Sequence, residues 1–292
     1  MVWHEITVHL PLTLLESTYN FLWPYVNGIT VKKLPSGFLM KTYLRSPAPD
    51  RLVKKLHSFL KIQAKSRSSC SRGSTQGQGT PSAADAKSLS PSVTRRDALQ
   101  SEEFIIVPIP TSDIPPFGIP IFLRRGRAFG IGSHPCTIYC LDALIHIFRN
   151  PDMLPSETKF LDAGTGTGIL SIAAVKLGAE DITCAEISLE SLNEARDNMS
   201  LNGITRGIVI RHCSVTEIQE QFDIILANLY GFLLAEIAPS LVRLLAPAGQ
   251  LVLGGMAVPH DDEVTAIYQH YGLKEQVRYR DEEWGTAVLH KV

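Results

Sequence analysis

Asp162, Gly164, Gly166, Gly168 and Glu186 are the residues of this 292-residue chain whose types and spacing best suit gripping a polar ligand. Phe160-Leu161 ends on Asp162, three glycines follow on alternate positions, and Ile169-Leu170-Ser171-Ile172-Ala173-Ala174 continues as an amphipathic run. That order predicts a strand, a tight turn and a helix. Glycine lets the backbone bend sharply and lets a ligand approach the main chain closely. The spacing G-x-G-x-G differs from the G-x-G-x-x-G of turns that hold a pyrophosphate. Glu186 closes the next strand-like run, Asp181-Ile182-Thr183-Cys184-Ala185-Glu186, about two dozen residues after Asp162, where such folds hold ribose hydroxyls. Ribose recognition is the chemistry these residues predict; the bland alternative is a structural strand-to-helix turn.

A glycine run closed by this acid resembles motifs I and II of the Rossmann-like methyltransferases, which bind S-adenosyl-L-methionine. A second stretch narrows the resemblance. Phe129-Gly130-x-Gly132-x-His134-Pro135-x-Thr137, followed by Leu161-Asp162-x-Gly164-x-Gly166-x-Gly168-Ile169-Leu170, is similar to the PrmA family, the methyltransferases of ribosomal protein L11. The similarity continues through Asn198-x-x-x-Asn202-Gly203, Phe222-Asp223-x-x-x-Ala227-Asn228-Leu229 and Leu245-Ala246-Pro247-x-Gly249-x-Leu251. It implies a seven-stranded Rossmann-like α/β sheet with cofactor contacts at Thr137, Gly164, Glu186 and Asn228. Phe129, Gly130, Asp162, Gly166 and Gly168 belong to the same cofactor-binding motifs. The resemblance further implies a protein substrate, a ribosomal protein or a similar small basic protein, with nucleic acid involved only through a ribosomal partner.

Methyl transfer from a sulfonium is an in-line displacement whose leaving group needs no proton, so proximity and orientation dominate. No Ser-His-Asp set, cysteine nucleophile motif or H-E-x-x-H occurs, in keeping with that chemistry. Asn228 is the candidate catalytic residue: at the end of a strand it sits where open α/β sheets bind ligands and could accept from an incoming amine. Its alternative role is to cap the following helix. His134 is a candidate helix cap or, less simply, a catalyst, and the helix start after it is a place to meet a carboxylate. The run Asn228-Leu229-Tyr230-Gly231 lacks the prolines that shape a slot for a planar base or amide, which favours an aliphatic amine. A lysine amine must first lose its proton, so turnover should rise with pH.

The chain departs from the family pattern at Ile131, where a threonine is usual, at Cys213-Ser214, where an acid commonly meets the adenine amino group, and in the connector before Phe129, which lacks a tryptophan-rich segment. Two alternative functions follow from these departures: a non-catalytic S-adenosylmethionine-binding module associated with ribosomes or RNA, and a small-molecule N-methyltransferase.

The remaining sequence predicts how these residues are carried. Leu189 to Leu201 and Phe232 to Leu245 are expected helices, and Ile208 to Arg211, Phe222 to Ala227 and Gln250 to Leu253 strands, so strands and helices alternate and predict a parallel sheet. His260 to Tyr271 is a further helix, and Lys274 to Tyr279 and Thr286 to Lys291 a final antiparallel pair. Before the methyltransferase-like region 128–292 and a proline-rich connector 111–127, residues 1–110 read as a substrate-recognising α+β unit. Its expected order is β-α-β-β-α-β, ferredoxin-like: strands Trp3 to Leu10, Ile29 to Leu34, Phe38 to Leu44 and Phe104 to Ile109, and helices from Pro11 to about Tyr25 and Arg51 to Ala64. Ser66 to Gln100, rich in Ser, Gly, Thr and Gln, is expected to be a disordered or loosely held insertion whose Arg67, Arg72, Arg95 and Arg96 are solvated.

Composition limits the alternatives. A net charge of -1 gives no global attraction to nucleic acid or anionic lipid. Five unclustered cysteines suggest reduced thiols in a cytoplasmic protein, and Cys136 and Cys140, four apart, have no partners to complete a metal set. No uninterrupted apolar run of membrane-spanning length or secretory leader is expected.

Overall fold

The computed structural model describes residues 3–45, 48–70, 91–96, 104–109, 114, 118–124, 126, 128–150 and 157–292. The chain divides into two compact units, Met1–Pro120 and Ile121–Val292.

In the first unit β1 (Trp3–Leu10) leads to α1 (Leu12–Leu22) and a single 3-10 turn (Trp23–Tyr25), then to β2 (Gly28–Leu34) and β3 (Gly37–Arg45). Strand alternation buries Ile6, Val8 and Leu10 on β1 and Phe38 and Met40 on β3. Helix α2 (Pro49–Cys70), β4 (Ser92–Arg96) and β5 (Phe104–Pro108) follow, and the strands of this unit lie in the order β4-β1-β3-β2-β5; β6 (Ile119–Leu123) runs across the unit boundary. β1 pairs antiparallel with both β3 and β4, and β2 with β3, which is the ferredoxin-like arrangement.

Two expectations change. The strand that completes the ferredoxin-like order is β4, inside the stretch expected to be a loop; Phe104–Pro108 adds outside β2 instead, through Ile29 opposite Ile106. An edge strand needs few apolar side chains, so the short Ser92-Val93-Thr94 run between Pro91 and two arginines gave little hydrophobic signal. Helix α2 likewise runs past Ala64 to Cys70, because no glycine or proline interrupts the chain before Gly73. The rest of the expected insertion, with Arg72, lies outside the described residues, as do connector residues 111–113, 115–117, 125 and 127.

The second unit contains α3 (Pro135–Phe148), β7 (Lys159–Ala163), α4 (Ile169–Leu177), β8 (Asp181–Glu186), α5 (Leu189–Leu201), β9 (Ile208–His212), β10 (Phe222–Asn228), α6 (Gly231–Leu244), β11 (Leu245–Ala257), α7 (Asp261–His270), β12 (Leu273–Arg280) and β13 (Trp284–Lys291). Its seven strands lie in the order β12-β13-β11-β10-β7-β8-β9. Pairing is parallel from β11 through β10, β7 and β8 to β9, while β13 is antiparallel to both β11 and β12. The central strands are continuous apolar runs because helices cover both faces: residues Ile224 to Ala227 are all buried. The chain leaves β7 toward β8 on one side and returns at β10 on the other. That reversal opens a crevice at the carboxyl ends of β7 and β10.

Candidate functional site

Three strand ends, those of β7, β8 and β10, supply part of the crevice wall, and the loop before α3 supplies the rest. After β7 the backbone turns through Gly164 (φ 76°) and Gly166 (φ 55°), left-handed conformations that L side chains rarely adopt. A Cβ on Gly166 would lie 2.6 Å from the Phe129 carbonyl oxygen, which leaves no room for a side chain; one on Gly164 would lie 2.5 Å from Leu229 Cδ2, so Leu229 would have to shift and the left-handed backbone would be strained as well. The turn hangs from β8, with the Gly164 N–H donating to the Ala185 carbonyl at 2.8 Å. Gly168 (φ 81°) does a different job: a Cβ there would sit 3.2 Å from Met199 Cε and 3.3 Å from Ala195 Cβ, so it lets α4 approach α5 and lies outside the crevice wall.

Asp162 lies at the back of the turn, 1% exposed. Its Oδ2 accepts from Thr165 Oγ1 at 2.7 Å and Ser171 Oγ at 2.6 Å. Burial raises its pKa, and the two hydroxyls work against that shift by stabilising the carboxylate. At the end of β8, Glu186 accepts from the Gly166 N–H through Oε2 (3.2 Å) and from the Ser188 N–H through Oε1 (2.9 Å). Both oxygens keep further lone pairs, and the carboxylate lines the crevice.

Asn228 closes β10. Its Nδ2 donates to Thr137 Oγ1 at 3.4 Å, while its buried Oδ1 has no partner. Helix α6 starts at Tyr230 without a side-chain cap, so Asn228 is not the cap of that helix. Thr137, fully buried in the first turn of α3, stands behind Asn228 rather than on the crevice wall. The start of α3 is also less open than expected: His134 Nδ1 accepts from the Cys136 N–H at 3.3 Å, and the Thr137 and Ile138 N–H groups donate to the His134 carbonyl.

Phe129, Gly130 and His134 form the facing wall. The His134 ring meets Phe129 edge-on at 5.1 Å and Trp284 at 4.5 Å between centroids. Because Nδ1 accepts, the neutral ring carries its proton on Nε2. Burial lowers its pKa to about 4, against an opposing pull from Asp281. Trp284 is a crevice residue the sequence reading missed, although a tryptophan in the acidic run Asp281-Glu282-Glu283 was a signal. Tyr230, 64% exposed and stacked on Phe232 at 6.0 Å, was missed as well.

The crevice encloses ≈ 440 Å³. It offers an apolar floor of Ile169, Leu170 and Leu233, a carboxylate at Glu186 and the Asn228 side chain, whose unpaired Oδ1 is itself buried behind the wall. That volume and that mixture suit a small ligand with an apolar body and a few polar handles. Among the described residues no group of three His, Cys, Asp or Glu could hold a metal, and no helix is long and apolar enough to cross a membrane.

Comparisons with known proteins point the same way. Residues 98–292 match the family described as "Ribosomal protein L11 methyltransferase (PrmA)". A ribosomal protein L11 methyltransferase from Geotalea uraniireducens is 37% identical over 172 residues, covering 57% of this chain and 55% of that one. Its counterpart from Geotalea daltonii is 28% identical, with 99% of this chain and 98% of that one covered. The crystal structure of a ribosomal protein L11 methylase from Lactobacillus delbrueckii subsp. bulgaricus superposes with a TM-score of 0.58 at 27% identity, over 66% of this chain and 97% of that chain.

Proposed function

The chain belongs to the PrmA family of ribosomal protein L11 methyltransferases, and on that premise we propose that it transfers methyl groups from S-adenosylmethionine to amino groups of ribosomal protein L11, lysine side chains above all. The observation that carries this reading is the pairing, across one crevice, of a glycine turn backed by Glu186 with the partnerless Asn228 Oδ1.

The residues present fit the nucleoside. Glu186 would receive the ribose hydroxyls, displacing or sharing its bonds to Gly166 and Ser188, and the close-packed glycine turn would face the ligand with backbone alone. Asp162 would hold that turn in shape from behind. Thr137 would act through Asn228, whose amide it fixes. Bound S-adenosylmethionine supplies a methyl carbon made electrophilic by its cationic sulfur. What the chain would supply is alignment: Phe129, His134 and Trp284 would flank an entering lysine amine, and the Asn228 amide, turned toward the crevice, would accept a hydrogen bond from it and orient its lone pair. Neutral His134 adds no positive charge to repel the amine. Aromatic faces favour a cationic amine on arrival. The amine must shed a proton to solvent before it attacks, since its ordinary pKa is about 10.4.

The N-terminal unit is the proposed reader of the protein substrate, and a cytoplasmic setting is supported by the free thiols of Cys136, Cys140, Cys184 and Cys213. The test is the intact mass of recombinant ribosomal protein L11 after incubation with this protein and S-adenosylmethionine. Mass gains in steps of one methyl group are expected. Unchanged mass with S-adenosylmethionine demonstrably bound would overturn the assignment as an enzyme.

A further inference from the structure

Helix α5 and its C-cap carry a row of polar side chains four residues apart, Glu194, Asn198 and the capping Asn202, on the face turned to the segment that leads into the crevice. Asn202 brackets Phe122, accepting from its N–H through Oδ1 at 2.9 Å and donating to its carbonyl through Nδ2 at 2.7 Å. Asn198 Oδ1 accepts from the Arg124 N–H at 3.1 Å, and Glu194 Oε2 accepts from the Ala128 N–H at 3.1 Å. The match has a geometric basis. Four helical residues rise about 6.0 Å and two extended residues span about 6.6 Å, so Asn202 and Asn198 keep step with Phe122 and Arg124, while the next helical step, to Glu194, is met four residues on at Ala128. Gly126 permits the approach, because a Cβ there would run into the Glu194 carboxyl group.

The same row reaches the glycine turn. Asn198, fully buried, spends its Nδ2 on the Thr167 carbonyl at 3.0 Å. Thr167, also fully buried, turns the rest of its polar groups the other way: its N–H donates to the Phe129 carbonyl at 3.0 Å and its Oγ1 to the Gly130 carbonyl at 2.6 Å. Gly130 takes φ 104°, and a Cβ on it would meet Thr167 Oγ1 at 2.8 Å. Thr167 thus latches the wall bearing Phe129, Gly130 and His134 to the wall bearing Gly164 and Gly166, without lining the crevice itself.

We infer that Thr167 and the α5 row are positioning residues: they hold the Phe129–His134 wall at a fixed distance from the glycine turn, so that the crevice is preformed for its ligand. Preorganisation of this kind lowers the ordering cost on binding. The inference rests on the proposed function for the identity of the ligand, but not for the latch itself.

Thr167→Val removes the hydroxyl donor and keeps the branched shape, while Thr167→Ser restores the donor. Glu194→Ala and Glu194→Gln form a second pair at a less buried place. Amide hydrogen exchange, thermal midpoint and the affinity for S-adenosylhomocysteine are measured on the full chain. For Thr167→Val and Glu194→Ala, exchange across residues 128–136 is expected to quicken at least about tenfold and the dissociation constant to rise about tenfold. Exchange in β7 and β10 and the thermal midpoint stay near wild type, and the Ser and Gln variants recover the wild-type values. Unchanged exchange at 128–136 in both variants would overturn the inference. So would a rise spread over the whole unit with a falling midpoint, or failure of Ser to restore. If S-adenosylhomocysteine fails to bind the wild-type protein, the proposed function falls while the exchange data still judge the latch.

Discussion

Two buried carboxylates in the second unit are held by opposite means. Asp261, with no exposed surface, opens α7 between two guanidinium groups, Arg278 Nη1 at 3.1 Å and Arg280 Nη2 at 3.2 Å. Asp162, almost as hidden at the end of β7, has neutral donors instead, the hydroxyls of Thr165 and Ser171 and the Ser171 backbone N–H. The first arrangement staples a helix start to the β12 strand by full charge. The second shapes a tight turn while bringing no cation beside the crevice, where a positively charged ligand is proposed to lie. Cationic side chains near Asp162 would repel a sulfonium; hydroxyls do not. The same residue type therefore serves as a structural anchor at one site and as the support of a binding turn at the other.

That contrast separates the effects of mutation. The largest is expected at the charged staple. Replacing both Arg278 and Arg280 by alanine leaves Asp261 buried without a counter-charge, and removing the partners of a buried ion costs about 3–5 kcal/mol. Urea denaturation should show that loss at neutral pH. Affinity for S-adenosylhomocysteine below the unfolding transition should not change. Next comes Asp162→Ala, which strands two buried hydroxyls at about 1–3 kcal/mol and releases the turn. Here stability and ligand affinity should fall together, and loss of stability with intact affinity would break the contrast.

Glu186→Gln sharpens it from the ligand's side. Exchanging a charged acceptor for a neutral one weakens hydrogen bonds by about 1 kcal/mol, so calorimetry should show roughly a fivefold weaker dissociation constant with little change in stability. The smallest effect is on pH. His134, pushed down to about 4 by burial, stays neutral from there upward, so log kcat/KM should climb with pH under the control of the amine and show no break near the usual histidine value. Between about 6.5 and 4 the unfolded chain binds a proton on this residue that the folded chain does not, so its contribution to stability should fall as pH drops through that window. A midpoint that rose on acidification there would contradict the burial assigned to His134.

Much of this arrangement was legible because it rests on local rules. Alternating glycines after an apolar run fixed the turn, and the strand ending on Glu186 was found to the residue, as was α5. Asn228 was placed at a strand end by its apolar run, but its orphaned Oδ1 is a property of packing that no spacing reveals. Trp284 escaped for a related reason: the residues before it in sequence are polar turn residues, and its ring partner His134 is the N-cap of α3. Thr167 read as one letter of a motif, and its hydroxyl gains meaning only when the loop at Gly130 folds back upon it. In the first unit β4 was missed because edge pairing leaves little apolar pattern.

The central claim is that the crevice at the carboxyl ends of β7 and β10 is a nucleoside site built on backbone. Titrating S-adenosylhomocysteine calorimetrically into the wild-type protein and into Gly164→Ala tests it most directly, with circular dichroism confirming that the variant is folded. Saturable one-to-one binding to the wild type, lost or weakened at least about tenfold in the variant, whose new Cβ would lie 2.5 Å from Leu229 Cδ2, is the expected result. No binding to the wild type, or equal binding to both, would contradict it.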